Sequence, residues 1–153
     1  MFIETMNLSE EAKDRLSHRM IGEWAVNEPE KAFNAWLETG ESEVPKTFYR
    51  ALDDWSLNSP GAEEAVKWVN SLDPGPPKEQ FKTHMIGYYC SGDRYVQAAE
   101  LGRSLEDPKE RILQMKIVKR RWESSGGNQK TRANVWFSKL PPADRAVVEE
   151  PLE

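Results

Sequence analysis

The stretch Trp24-Ala25-Val26-Asn27-Glu28-Pro29-Glu30-Lys31-Ala32-Phe33-Asn34-Ala35-Trp36 carries the pattern that decides the fold. One apolar run closes on a tryptophan, a polar break containing proline follows, and a second apolar run ends on another tryptophan. Proline is tolerated in the first turn of a helix, where its missing N–H would have no intrahelical partner anyway. Ahead of the break, Leu16, Met20 and Trp24 fall four apart on one stripe with Ala12, and Ser9 stands where an N-cap is needed. Behind it, Ala32, Phe33, Trp36 and Leu37 form one face, closed by Gly40. The stretch reads as two helices joined by a short turn.

Outward from here the pattern recurs. Trp24, Trp55, Tyr89 and Trp122 are spaced by 31, 34 and 33 residues, and each precedes a polar break. A second mark follows each of them at Trp36, Trp68, Leu101 and Trp136. Repetition at a fixed period of this length is the signature of stacked helical hairpins. The repeats fall near residues 9–40, 43–73, 76–106 and 107–141, with 142–153 as a cap or a truncated further unit. Phe48, Ala51, Leu52 and Trp55 form one helical face. Ala62, Ala65, Val66, Val69 and Leu72 form the next, after Ser59-Pro60. Phe81, Met85, Tyr88 and Tyr89 precede Tyr95, Ala98, Ala99, Gly102 and Leu105. Asp107-Pro108-Lys109-Glu110 reads as a capping box opening the face Ile112, Met115, Val118 and Trp122. Asn128 opens the face Ala133, Trp136, Phe137 and Leu140.

No run alternates apolar and polar residues as a half-buried strand would. The expectation is eight helices with a ninth short one near 143–149, joined by links short enough to force neighbours antiparallel. The predicted fold is all-α, an α-solenoid of about four tandem helix-turn-helix repeats in a single domain spanning 1–153. A lone hairpin cannot bury its outer face, so each repeat must cover the last. The tryptophans are expected to act as core wedges, with Ala32, Ala35, Ala65, Ala98, Ala99 and Ala133 letting the second helices approach. A tryptophan left exposed in a groove would be the first candidate for a binding hot spot.

The pattern resembles the tetratricopeptide-like superfamily. It is more similar still to bacterial tandem repeats of the W-A-x-x-[DN]-P-x-x-A-x-x-W type, which occur in large proteins of mostly unassigned function. The resemblance rests on Trp24-Ala25-Val26-Asn27-Glu28-Pro29-Glu30-Lys31-Ala32 with Trp36, and on Trp55 with Pro60, Ala65 and Trp68. It covers nearly the whole chain. Leu101-Gly102 is in register with the tetratricopeptide consensus, and the other repeats lack that pair. The resemblance implies a superhelix and a protein-scaffolding role.

Composition narrows the functional classes. The net charge of -5 argues against a general nucleic-acid binder, and Cys90, standing alone, cannot form an intrachain disulfide. No apolar run approaches the ~20 residues that span a bilayer, so no membrane partner is expected. The acidic start, with Glu4, Glu10 and Glu11, is unlike a signal peptide. The expected location is the cytoplasm, unless the chain is a piece of a longer exported protein.

Candidate chemistry is sparse. His18, His84 and Cys90 are the only nitrogen or sulfur ligands of the kind zinc sites favour, and no two are closely spaced. Glu11, Asp14 and His18 share one helical face, yet no nucleophile accompanies them, and a solvated surface is the simpler account. Gly126-Gly127-Asn128-Gln129-Lys130-Thr131 lacks the glycine directly before lysine that a phosphate loop requires, and reads instead as a helix-to-helix joint. Neither catalysis nor a metal or cofactor is expected.

Charge, by contrast, is strongly segregated. Residues 1–102 hold 10 Lys/Arg against 18 Asp/Glu, a net of -8. Residues 103–145 hold 11 against 5, a net of +6, with Lys116, Lys119, Arg120 and Arg121 on one helix. These four are the partner-binding candidates. The expected function is a protein-interaction scaffold holding a partner peptide or helix. The alternative is binding of nucleic acid or an acidic partner through the basic segment 103–132. Head-to-tail self-association is a further expectation from the charge segregation.

Overall fold

The computed structural model describes residues 7–150, and the regular elements in them are all helices. They are α1 (Glu10–Ala25), α2 (Pro29–Leu37), α3 (Phe48–Ser56), α4 (Gly61–Ser71), α5 (Pro76–Ser91), α6 (Tyr95–Arg103), α7 (Pro108–Glu123), α8 (Gln129–Ser138) and α9 (Pro142–Glu149). The chain is therefore all-α, and its breaks fall where the polar and proline-containing stretches predict them.

Helix ends show why. The Ser9 hydroxyl accepts from the Ala12 N–H at 3.2 Å, satisfying one donor that the first turn leaves open. Asp107 accepts from Lys109 N and Glu110 N at 2.9 and 3.4 Å. Only this half of the capping box forms, because the Glu110 carboxylate accepts from Gln114 Nε2 at 2.8 Å instead of reaching back. Asn128 precedes α8 without a side-chain cap bond, and Gly126 and Gly127 turn the chain with φ of 90° and 56°.

The chain divides into two compact units, one ending at Phe81 and the other beginning at Lys82 within α5. In the first unit, α1 packs on α2 and α3, α2 on α3, and α3 on α4. Its core is aromatic. Phe33 is fully buried, with ring centroids 5.6, 6.5, 5.5 and 5.6 Å from Phe48, Trp55, Trp68 and Phe81. Trp36, also fully buried, meets Phe48 and Phe81 edge-on. Each such ring withdrawn from water contributes about 1.5–3 kcal/mol, and tilted or edge-on pairs add to that.

In the second unit, α7 packs against α6, α8 and α9. Trp122 stacks on Tyr95 at 5.8 Å with 12° between the planes, and meets Trp136 and Phe137. Tyr89 is buried beneath the Arg94 guanidinium, 5.4 Å from the ring centre. Gly102 permits the α6–α7 approach: a Cβ there would stand 3.2 Å from Met115 Sδ. Lys82 is buried, and its ammonium donates to Ser104 O at 3.1 Å, just past the end of α6, where helix carbonyls favour a cation.

One expected face is wrong. Leu16, Met20 and Trp24 were to point inward, but Met20 and Trp24 are 46% and 40% exposed. The side of α1 that meets the unit runs through His18, Gly22 and Ala25, also spaced as one helical stripe. The His18 ring lies edge-on to Phe48, and a Cβ on Gly22 would reach Thr47 O at 3.8 Å. Small residues let α1 come close to α3, which outweighs the bulkier stripe on its other side. Trp24 is thus no wedge, and its Nε1 donates to Glu28 Oε2 at 3.0 Å on the surface. Of the other repeat markers, Trp36, Trp68, Tyr89, Leu101 and Trp122 are buried, while Trp55 and Trp136 are half-buried.

Candidate functional site

A groove of about 500 Å³ opens in the first unit between α2, the turn after it, the end of α4 and the start of α5. Helix α2 contributes Glu30, Asn34 and Leu37, and α4 contributes Trp68 and Ser71. Glu41 and Ser42 come from the loop after α2, and Asp73, Pro74 and Gly75 from the stiff turn between α4 and α5.

The walls are held by contacts that no local pattern announces. Trp68 Nε1 donates to Asn34 Oδ1 at 2.8 Å, tying α4 to α2. Gln80 clamps the loop opposite: its Oε1 accepts from Val44 N at 2.7 Å and its Nε2 donates to Ser42 O at 2.9 Å. His18 backs the same loop, with Nε2 2.8 Å from Glu41 Oε2. Hydroxyls close the two last turns, Thr39 Oγ1 donating to Trp36 O and Ser71 Oγ to Trp68 O, each at 2.6 Å. Gly40, with φ of 78°, turns the chain out of α2.

The lining is amphipathic. Leu37, Leu72, Trp68 and the prolines supply apolar wall, while Glu30, Glu41 and Asp73 are exposed carboxylates. Lys78 is the one cationic side chain in the lining, and it is buried. Of the sequence markers only Trp68 lies here, together with the Asp73-Pro74-Gly75-Pro76-Pro77 turn. The other residues were not legible as a site. Asn34 and Gln80 are unremarkable in sequence, and their partners lie 34 to 38 residues away.

The four basic candidates on α7 do not form one surface. Lys116, Lys119 and Arg120 line a shallow groove of about 330 Å³ that they share with Glu123, Glu149 and Glu150. Lys119 is paired with Glu123. Arg121 lies elsewhere, beside the buried Cys90 thiol. Burial pushes the Cys90 thiol up, and the nearby Arg121 guanidinium opposes that shift. Burial likewise raises the Tyr95 phenol, whose hydroxyl donates to Asp93 Oδ1 at 2.9 Å. Adjacency along a helix spreads side chains around it, so a basic run in sequence is divided between faces.

The Glu11, Asp14 and His18 face does not assemble either. Glu11 pairs with Arg15 at 2.9 Å, and His18 turns to Glu41. Among the described residues, no group of three or more His, Cys, Asp or Glu is placed to hold a metal ion. No helix there is long and apolar enough to cross a membrane.

Site and fold together define an all-helical protein with a polar-rimmed groove. Comparison with known protein families, characterised proteins and solved structures finds no match. Residue by residue, the first repeat also departs from the tandem-repeat pattern it resembles. Glu28 stands where that pattern has Asp or Asn, and three residues rather than two separate Ala32 from Trp36.

Proposed function

We propose that this chain is a protein-interaction scaffold, a tetratricopeptide-like array of two-helix repeats that holds a partner peptide in the groove of its first unit. The observation that carries this reading is the groove itself: concave, amphipathic, and walled by contacts that fix its shape before any partner arrives. A prebuilt wall lowers the ordering cost of binding. The packing order within each unit supports the repeat reading. The first helix of one repeat packs on the first helix of the next, α1 on α3 and α7 on α9.

Site-directed crosslinking tests it. Cys90 is buried, so a benzophenone maleimide can be directed to Ser71→Cys on the groove or to Arg50→Cys at an exposed position of α3. Within the source cell's proteins, the groove position is expected to form a discrete adduct that the α3 position does not. Identical adducts from both positions, or none from the groove, would defeat the proposal.

A second reading is favoured by the net charge of +6 over residues 103–145: binding of nucleic acid or an acidic partner through segment 103–132. It is the weaker, since Lys116, Lys119 and Arg120 share their groove with three glutamates. Salt-dependent binding of a polyanion that is lost in Lys116→Ala/Arg120→Ala would favour it. Head-to-tail self-association would appear as a concentration-dependent mass that disappears at high salt.

A further inference from the structure

We infer that the groove of the first unit selects an extended peptide segment carrying a lysine or arginine, its cationic head among Glu30, Glu41 and Asp73. This rests on the scaffold reading and names the class of partner.

The electrostatics of the walls point one way. Both α2 and α4 bring their C-terminal turns to the groove, through Leu37 and through Trp68 and Ser71. The carbonyl ends of helices carry partial negative charge, and neither last turn contains a basic residue to offset it. Two helix starts reach the groove: that of α2, where Glu30 already places a carboxylate in the first turn, and that of α5, which opens on Pro76 and Pro77 without N–H groups to offer an anion. Glu30, Glu41 and Asp73 add three exposed carboxylates, against the single buried Lys78. Glu41 is held in place by His18, whose Nε2 lies 2.8 Å from its Oε2.

Shape and polarity define the rest of the ligand. The groove is open and offers about 500 Å³, room for a few peptide residues along it. Leu37, Leu72 and the proline wall give the aliphatic stem of a long basic side chain an apolar surface to lie along. The Asn34 carboxamide uses its oxygen on Trp68, leaving its N–H groups as donors to a peptide carbonyl.

The test is selection of phage-displayed random dodecapeptides on the full chain, followed by fluorescence anisotropy with fluorescein-labelled synthetic copies. Enriched peptides are expected to share a lysine or arginine at a fixed position. Their binding should weaken on the order of ten-fold in Glu30→Gln/Glu41→Gln/Asp73→Asn, weaken with added salt, and vanish in Ser71→Trp, which fills the groove. Peptides blocked by Ser71→Trp but lacking a basic position, or unaffected by the neutral variant and by salt, would overturn this inference and leave the scaffold reading intact. If no enriched peptide is blocked by Ser71→Trp, the groove reading falls and this inference with it. Circular dichroism checks that each variant folds, and the salt series on the unaltered chain tests the charge requirement without any substitution.

Discussion

Trp24 and Trp122 each stand one residue before the end of their helices, α1 and α7, yet their replacement by alanine should have very different consequences. Trp122 is 2% exposed, stacks on Tyr95, touches Trp136 and Phe137, and donates from Nε1 to Gln129 Oε1 at 2.8 Å. Truncating a buried large aromatic costs about 3–5 kcal/mol, through lost transfer energy and the cavity left behind. Stranding the Gln129 acceptor adds about 0.5–1.5 kcal/mol. The expected loss is therefore about 3.5–6.5 kcal/mol. Trp24 is 40% exposed, and its ring nitrogen donates to the exposed Glu28. Removing it leaves little cavity, and substitutions at such positions usually cost about 1 kcal/mol or less. A gap near 3 kcal/mol corresponds to more than a hundred-fold in the folding equilibrium. Urea titration followed by far-ultraviolet circular dichroism measures both variants against the parent chain. Costs within 1 kcal/mol of each other would refute the assignment of these two rings, and with it the inward stripe His18, Gly22 and Ala25 on α1.

Gly61→Ala should destabilise the first unit by about 1–3 kcal/mol, because a Cβ there would sit 2.4 Å from the Trp55 carbonyl oxygen, and backbone cannot yield cheaply. An unchanged urea midpoint would show that α4 does not approach α3 so closely. Cys90 should react slowly with a thiol reagent in the native chain and fast in urea, since its thiol is buried. Its raised pKa also sets a sign. In the unfolded chain the proton leaves at the ordinary thiol value, while in the folded chain it leaves only at higher pH. Between those two values the unfolded state binds fewer protons, so stability should fall as pH rises through the ordinary thiol range. Cys90→Ala should flatten that part of the pH profile, and an unaltered slope would assign it to another group.

Sequence alone determined the helices and their breaks, because those signals are local. Ser9 and Asp107 cap the turns that directly follow them, and Pro29 and Pro108 open helices by their own covalent geometry. The spacing of Trp36, Trp68 and Trp122 likewise marked rings that are buried. Tertiary structure decided the rest. Helix α1 carries two stripes of similar spacing, and only the fit against α3 selected the one with small residues. The groove depends on pairs 23, 34 and 38 residues apart: His18 with Glu41, Asn34 with Trp68, and Ser42 with Gln80. No periodicity records such pairs: the spacing marks Trp68, but nothing marks Asn34, His18, Glu41, Ser42 or Gln80 as its or one another's partners until folding brings each pair within 3 Å. The basic run on α7 shows the converse, a feature conspicuous in sequence that helical geometry divides, with Lys116, Lys119 and Arg120 in one groove and Arg121 beside Cys90. Short-range chemistry writes the elements into the chain, and long-range packing selects which faces meet and where a concave surface is left open.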